Sequence, residues 1–452
     1  MNGPLIQPGK YNLKSLTLIT EKGQTVNIKD IFVEMTLEES IYQSAIFGSV
    51  LVTDSNNLIS GSLALPIMGN EVIIIQLDLP DWYPATYEED PSADSEAFIP
   101  QTNSILYMGR VTSVKKREPI NDKSQSYIID FCSEELVRSE NKKISKSYKG
   151  TPSQIAQKIF LEEVGTENPD SFFEGTTNQI RVVVPTWTPF RTINWLASRS
   201  ISEVMQSPTF FFYQSLYSDL SYDNSITSRF WFRSLDDMLS NKPLKTLYYG
   251  LANVKADDPS KSLRIESLEV KQDFDSISNI SNGLFANKLI THDVVKKQWA
   301  SSNYNYYLSF PSMNHNDGGK LYRGDIDREG KKFTDYPEST IYMHSVGTPE
   351  APNYIGAISN RRSSQMASLD SMVLNMLIPG DGIIYPGSKI KFSYKSFEFT
   401  TRANNEINDT FYDGDYLVTG IKHQFISEKY RMTLSCSKES LKINVEDYAR
   451  SI

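Results

Sequence analysis

The sequence predicts a β-rich α+β protein of several domains, and three observations lead to that prediction. Apolar and polar residues alternate in many stretches of the chain, as they do in strands that have one wet face. Two stretches of helical periodicity interrupt this pattern near the middle. With 452 residues the chain exceeds what one ordinary hydrophobic core organises, so about two to four domains are expected. The 25 tyrosines and 22 phenylalanines supply the material for such cores.

Alternating strands dominate the first third of the chain. Residues 16–19 predict a short strand, and residues 30–79 predict several more. In the strand at 33–38 we expect the odd-numbered apolar residues on the buried face and the even-numbered polar residues on the wet face. Residues 72–75 are all apolar, which favours a strand covered on both faces.

An acidic insertion interrupts this series of strands. Residues 80–101 are rich in acidic side chains and proline, so they predict a long exposed loop between two strands. The strand pattern resumes at residues 105–114 and 127–132, and we expect the first domain to end near Glu140.

Helical signals mark the second third. A capping threonine followed by proline occurs twice, at residues 151–152 and 188–189. Apolar residues at helical spacing follow each cap, and they predict that the second helix extends to Val204. Residues 210–213 and 229–232, FFFY and RFWF, then predict the two strands of an aromatic hairpin.

The last third returns to a strand pattern in two parts. Period-two alternation recurs at residues 262–270 and 285–295. Residues 301–360 are poor in aliphatic side chains and predict loops. Residues 361–376 predict an amphipathic helical stretch, and residues 383–438 predict a final block of strands.

Charge and cysteine content narrow the class of protein. The formal net charge is −9 and the isoelectric point is near 5.2, which argues against a basic surface for nucleic acid. Cys132 and Cys436 are the two cysteines, and each lies in a strand-like run, so we expect buried thiols rather than a disulfide framework. The first residues lack the pattern of a signal peptide, and no run approaches the roughly 20 apolar residues of a membrane-spanning helix.

The order of several motifs resembles that of a known family. Residues 184–213, VPTWTPFRTINWLASRSISEVMQSPTFFFY, followed by RFWFRSLDDML, resemble the middle domain of the central baseplate hub proteins of contractile-tailed (T-even-like) bacteriophages. The segment GNEVIII at residues 69–75 resembles the first domain of these hub proteins. Three later segments resemble their third domain: NKLITHD at residues 287–293, YPGSKIKF from residue 385 and YLVTGIKH from residue 416.

The resemblance implies a division into domains. Residues 1–140 would form a first β-barrel tube domain, and residues 262–299 with 377–441 a second one of similar shape. Residues 141–261 with 300–376 would form an α+β middle domain, and residues 442–452 a C-terminal tail. The strands expected to form barrel walls and ring contacts are those at residues 47–53, 72–77, 389–394 and 416–423.

The resemblance also implies a role in the virion. Such a protein would be a non-enzymatic homotrimer of quasi-sixfold symmetry that links the trimeric central spike to the hexameric tail tube and initiates tube assembly. Its further partners would be the inner baseplate (wedge) proteins. DNA would pass through its channel without sequence-specific binding. The location would be the tail baseplate of the virion, after assembly in the host cytoplasm. Exposed sheet edges that pair between subunits, and an acidic lumen that repels DNA, agree with such a ring.

Sequence motifs predict no catalytic, cofactor-binding or metal-ligating residue. Asp325, Asp327 and Glu329 have the spacing that opens a calcium-binding loop. The twelfth position, where a glutamate would chelate the ion, is Tyr336, so we expect no calcium there.

Other polar motifs are better explained structurally. Residues 323–325, RGD, predict an exposed turn, and residues 413–415, DGD, predict a turn before a strand. The histidines lack metal-ligand spacing, and the two in strand-like runs are expected to be packed or at a strand edge; the four are His292, His315, His344 and His423.

Two functional alternatives remain at this point. Trp187 and Trp195 flank a helix start and are expected to be core or interface anchors. The alternative to a structural hub is a β-rich tail protein that binds carbohydrate or hydrolyses glycans, although no carboxylate pair with glycosidase spacing can be identified from the sequence.

Overall fold

The first β block is an antiparallel sheet. The computed structural model describes residues 8–55, 67–83, 99–165, 171–218, 225–249, 263–325, 329–346, 355–395 and 408–442. The elements of the first block are β1 (Asn12–Ile19), β2 (Thr25–Asn27), β3 (Phe32–Ser40), β4 (Phe47–Asp54), β5 (Val72–Tyr83), β6 (Ile99–Asn121) and β7 (Ser124–Ser133), with a 3-10 turn at Lys29–Ile31. Their order in the sheet is β2-β1-β5-β6-β7-β4-β3.

Most of the strands predicted in this block are confirmed, with three local differences. A bulge in β3 leaves Val33 without a partner between Phe32 and Glu34, so Val33 is 41% exposed instead of buried. In β5, Ile73 and Ile75 are buried while Val72 and Ile74 are partly exposed, so one face of the strand is fully covered rather than both. The predicted loop at 80–101 is shorter at both ends because β5 pairs with β6 as far as Tyr83 and Ile99. The interior of that loop lies outside the described residues.

The middle region contains both the predicted helices and the predicted hairpin. Its elements are α1 (Glu134–Glu140), β8 (Ser147–Gly150), α2 (Pro152–Ile159), β9 (Phe172–Phe173), β10 (Ile180–Val183), α3 (Pro189–Ala197), β11 (Phe210–Ser218), β12 (Ser225–Ser234) and α4 (Leu235–Ser240). A π-helical turn, Phe160–Val164, continues α2. The caps are confirmed, because the side chains of Thr151 and Thr188 accept N–H bonds from the third helical residue of α2 and α3.

The predicted extension of the second helix to Val204 is wrong. Helix α3 ends at Ala197, and Val204 is 78% exposed. The amide of Asn178 explains the ending, since it donates to the carbonyl of Arg199 at 2.7 Å and accepts the N–H of Ile201 at 3.0 Å. The backbone groups that would continue the helix are thereby satisfied by a side chain instead.

The aromatic hairpin β11–β12 is buried on both faces. Phe210, Phe212, Phe230 and Phe232 pack against the helices of the middle region. The residues between them, with Trp231 at the centre, pack towards residues of the last third of the chain. The hairpin therefore connects the helical layer to the rest of the molecule.

The last third contains a second β block and a separate three-stranded sheet. Its elements are β13 (Thr246–Tyr249), β14 (Arg264–Ile265), β15 (Ser267–Asp273), α5 (Ser276–Ser281), β16 (Ala286–Asp293), β17 (Gln298–Asn305), α6 (Tyr306–Ser309), β18 (Ile341–Val346), α7 (Ile355–Ser368), β19 (Met372–Pro379), β20 (Lys389–Ser393), β21 (Gly414–Ile426) and β22 (Lys429–Lys438), with 3-10 turns at Phe310–Ser312, Phe333–Asp335 and Pro337–Ser339. Strands β15, β19, β22, β21, β20, β13 and β14 neighbour one another in that order, and β17-β16-β18 form the separate sheet.

Two predictions for this part require correction. Residues 301–360 are not only loops, since they contain β18 and most of β17. The helical stretch predicted at 361–376 ends at Ser368, and strand β19 begins at Met372. The spacing of Met372 and Met376 fits both a helix and a strand. The segment forms a strand because β19 pairs on both edges, with β15 and β22.

The two β blocks are joined into one sheet by strands β3 and β21. Their antiparallel pairing runs from Ser40 opposite Gly420 to Glu34 opposite Ile426, and one hydrophobic core lies beneath both blocks. Because β4 and β21 occupy the two edges of β3, no edge is left for β1. Among the described strands the predicted barrels are therefore not closed rings.

The remaining sequence expectations concern cysteines and membrane spans. Cys132 and Cys436 are confirmed as free, buried thiols, and burial raises the pKa of Cys132 to about 11. Within the ranges that the structure describes, no helix is long and apolar enough to span a bilayer.

Candidate functional site: the junction between the two β blocks

The junction contains a hydrogen-bonded pair of side chains that is shielded from water. Glu39 lies near the end of β3, and His423 lies on β21. Their side chains meet with 2.7 Å between Oε1 of Glu39 and Nε2 of His423. Both residues are no more than 3% exposed. Glu39 continues the buried face of Met35 and Leu37, so the pair sits within the apolar layer rather than at the surface.

Each member of this pair has a second partner. The other carboxylate oxygen of Glu39 accepts the backbone N–H of Leu216 on β11 at 2.7 Å. The other ring nitrogen of His423 lies 2.9 Å from the hydroxyl of Tyr430 on β22. The group therefore links the first block, the second block and the aromatic hairpin, and it leaves no ring nitrogen of the histidine unused.

A buried ion pair lies beyond Tyr430. The hydroxyl of Tyr430 donates to the backbone carbonyl of Asp381 at 3.3 Å, and the carboxylate of Asp381 pairs with Lys245. Lys245 immediately precedes β13, and its side chain is 3% exposed. Buried charges are costly unless each finds its own partner. We therefore infer that the Glu39–His423 and Lys245–Asp381 pairs favour the observed alignment of the strands at the junction. In another alignment, a buried polar or charged side chain would lose its partner.

An open groove crosses the outer surface of the junction. It has a volume of about 400 Å³ and is lined mainly by polar residues, among them Tyr42, Asp370, Asn375 and Lys422. Burial raises the pKa of the Asp370 carboxyl, and the nearby positive charge of Lys271 opposes that change. The groove can accommodate a polar surface, and Glu39 of the buried pair is among the residues that line it.

The four segments expected to form walls are all strands. Residues 47–53 lie in β4, 72–77 in β5, 389–394 largely in β20, and 416–423 in β21. Each of these strands pairs with a neighbour on both sides. They are confirmed as strands, but the described strands form no closed barrel for them to wall, and their role as ring contacts stays a prediction. Because their edges are occupied, any contact they make with another subunit would have to use side chains.

The motifs considered for ion binding have structural roles. The carboxylate of Asp325 accepts both the N–H and the hydroxyl of Thr334, at 3.2 and 2.7 Å. Asp327 lies outside the described residues. In the described part of the chain, no group of three or more His, Cys, Asp or Glu side chains could hold a metal ion. Arg323 and Gly324 of the RGD tripeptide are exposed, as predicted.

The DGD motif is more buried than a simple turn. Strand β21 follows the motif, but it begins at Gly414, so Gly414 and Asp415 belong to the strand instead of the predicted turn, and Asp413 is only 4% exposed. Its carboxylate lies 2.5 Å from Nζ of Lys442, and its carbonyl accepts a bond of 2.7 Å from Lys438. Burial lowers the pKa of Lys438, and the carboxylates of Asp317 and Asp413 oppose that change. The motif therefore anchors the last described residues to the second block.

The four histidines have separate partners. His292 stacks on Trp299, with 4.1 Å between ring centroids, and His344 lies 3.2 Å from the hydroxyl of Ser359. His423 is packed, in agreement with its position in a strand-like run.

His315, the fourth histidine, is expected to make the stability of the fold depend on pH. Burial lowers the pKa of His315, but the hydrogen bond and charge of Glu439 outweigh it, so the pKa is raised. Such a group stabilises the fold below its ordinary pKa of about 6.5, and this contribution is lost as pH rises through the raised value. When the pH is raised from about 6 to about 8, the free energy of unfolding should therefore fall less for the His315→Gln variant than for the wild type. Urea denaturation at each pH measures this change.

His344 provides a control of opposite sign. Burial and the charge of Arg199 lower the pKa of His344, so its contribution to stability increases with pH. The His344→Gln variant should therefore lose more unfolding free energy than the wild type over the same interval. Identical slopes for the wild type and both variants would contradict this assignment.

Sequence reasoning missed the residues that define the junction. Glu39 carried a signal, since it follows Met35 and Leu37 at period two and so belongs to the buried face. Lys245 and Asp381 carried none, because they lie outside strand-like runs and are 136 residues apart.

Solved structures of other proteins share this architecture. The tail protein from Neisseria meningitidis MC58 is similar with a TM-score of 0.51 and 10% identity, over 95% of this chain and 97% of that chain. The 43 kDa tail protein of prophage MuSo2 from Shewanella oneidensis is similar with a TM-score of 0.50 and 9% identity, over 94% and 98%. No protein-family model and no curated protein sequence matches the chain.

These similarities define the class of fold. The chain shares its fold with these two tail proteins over nearly its whole length. At the level of the fold, this similarity to tail proteins confirms the sequence resemblance to the baseplate hub proteins of contractile-tailed phages.

Proposed function

We propose that this protein is a structural component of a phage tail, the central hub of the baseplate. The observation that supports this proposal most strongly is the shared fold with two tail proteins, which extends over at least 94% of this chain and 97% of theirs. A likeness of that extent includes both β blocks and the region between them, rather than one common domain.

The arrangement of the β blocks suits a symmetry adaptor. Each copy carries two β blocks side by side, joined through β3 and β21. Three copies around an axis would present six blocks, which is the number needed to match a hexameric tube, while the trimer itself would match a trimeric spike. In this proposal each block acts as a tube domain, and residues 1–140 and 262–299 with 377–441 remain the proposed limits of these domains.

The proposed partners follow from this position. They are two further copies of the chain, the trimeric central spike, the tail tube protein and the inner baseplate proteins. The channel would allow DNA to pass without sequence-specific binding, and the net charge of −9 would limit adhesion of DNA to its wall. The proposed location is the tail baseplate of the virion, after assembly in the host cytoplasm.

A non-enzymatic role agrees with the state of the buried ionisable groups. Glu39, Asp381 and Glu439 are each bound by a cationic or backbone partner inside the molecule. These carboxylates hold strands and loops together and have little access to solvent.

Electron microscopy of the purified protein tests the arrangement directly. Negatively stained particles at micromolar concentration should give end-on class averages with six lobes around a central opening. Compact particles with two blocks and no ring, at every concentration and in the presence of spike protein, would contradict the proposal.

A further inference from the structure

Four side chains, two arginines and two tryptophans, contact one another in series at the surface of the middle region. The rings of Trp187 and Trp195 have centroids 5.9 Å apart. The guanidinium carbon of Arg191 lies 4.9 Å from the centroid of Trp187, and that of Arg199 lies 4.1 Å from the centroid of Trp195. Arg191, Trp187, Trp195 and Arg199 thus form a row of cation, ring, ring and cation, which we call the Arg–Trp ladder.

The fold holds this ladder in place from below. Both tryptophans are half-buried and pack against the aromatic core of the middle region. The carbonyl of Trp187 accepts the N–H of Ile144 at 2.8 Å, and Asn178 fixes the backbone of Arg199. Arg191 and Trp195 are four residues apart on α3, so they lie on one face of the helix. The spacing of the row is therefore set before any partner arrives.

The two arginines keep their charge available. Among the described residues, neither guanidinium forms an ion pair with a carboxylate, and the guanidinium of Arg199 donates a hydrogen bond of 3.0 Å to the hydroxyl of Ser198. The chain has 55 acidic residues against 46 lysines and arginines, so its composition offers enough carboxylates to pair with every cation. Two stacked arginines without a carboxylate are a surface that complements negative charge.

We propose that the Arg–Trp ladder is a docking surface for an acidic segment of a partner protein. A guanidinium binds a carboxylate through two parallel N–H bonds, and an indole beneath it fixes the plane of that fork. Arginine and tryptophan are also the residues most enriched among those that dominate the energy of protein interfaces. The segment would bring two or more Asp or Glu side chains to the two arginines and apolar groups to the rings.

The geometry favours a protein segment over nucleic acid. Each indole is covered on one side by a guanidinium and contacts the other indole, which leaves little ring surface for a base to stack on. Non-specific binding to nucleic acid draws on many phosphate contacts, whereas the ladder offers two cations. The inference does not depend on the trimer, because all four side chains belong to one copy.

Binding of the full-length chain to immobilised poly-L-glutamate, measured by biolayer interferometry at low and moderate salt, tests the proposal. We expect salt-sensitive binding by the wild type and binding at least about tenfold weaker for Arg191→Glu/Arg199→Glu. The control is Lys115→Glu/Lys331→Glu, which changes the net charge equally at exposed lysines, one on β6 of the first block and one in the last third of the chain. It should bind within about twofold of the wild type. Circular dichroism would establish that both variants are folded.

Three outcomes would overturn the proposal. The first is equal binding by the wild type and the ladder variant. The second is a loss of affinity for a thirty-nucleotide oligothymidine that exceeds the loss for poly-L-glutamate, which would assign the ladder to nucleic acid. The third is a change of oligomeric state in the ladder variant with binding to poly-L-glutamate unchanged, which would assign it to a second copy. Partial binding by Arg191→Lys/Arg199→Lys would support the proposal, since lysine keeps the charge and lacks the fork.

Discussion

Replacing Glu39 with alanine is expected to lower the free energy of unfolding by about 2–4 kcal/mol, because two buried polar groups lose their partner, one of them Nε2 of His423. The same change removes the acceptor for the N–H of Leu216, so the aromatic hairpin loses one of its bonds to β3. Urea denaturation followed by circular dichroism measures the effect. The Glu39→Gln variant should lose less, since its amide oxygen can still accept a hydrogen bond.

Glu38 is the matched control for this prediction. It lies next to Glu39 on β3, but its side chain is 48% exposed and its ion pair with Lys422 is at the surface. An exposed pair contributes about 0–1 kcal/mol, so Glu38→Ala should change the free energy of unfolding by no more than that. Equal losses for the two alanine variants would mean that burial of the pair does not determine its contribution.

Replacing Phe160 with alanine is expected to cost about 3–5 kcal/mol of unfolding free energy. The ring is fully buried, and its centroid lies 4.8 Å from that of Phe230, 5.7 Å from Phe173 and 6.2 Å from Phe212. Its removal would leave a cavity between the helical layer and the aromatic hairpin, which the surrounding rings can fill only partly. Thermal and urea unfolding of the variant measure the loss.

The neighbouring residue Leu161 provides the comparison. It occupies the same π-helical turn, but it is 50% exposed. Leu161→Ala should therefore change the free energy of unfolding by about 0.5 kcal/mol or less. A loss for Phe160→Ala no larger than that for Leu161→Ala would contradict the packing assigned to this core.

Local signals in the sequence predicted much of the secondary structure. The caps at Thr151 and Thr188 depend on residues within one turn, and both helices begin where these caps place them. The hairpin β11–β12 pairs segments that are adjacent in the chain. The end of α3 was missed because it depends on Asn178, which is distant in the sequence and contacts the helix end only in the fold.

The junction between the blocks could not be predicted in this way. Strands β3 and β21 are separated by more than 370 residues, and periodicity says which face of a strand is buried but not which strand lies beside it. The same separation concealed the pair of Glu39 and His423. For the Arg–Trp ladder, the sequence indicated Trp187 and Trp195 as core or interface anchors. The positions of the two arginines over the rings could be seen only in the folded structure.

Native mass spectrometry of the purified chain tests the central claim most directly. It would be carried out over a range of protein concentrations, with and without a candidate trimeric spike protein. The account predicts a species of three times the chain mass that captures one spike trimer. A strict monomer at every concentration, with no complex in the presence of the spike, would contradict the proposed hub.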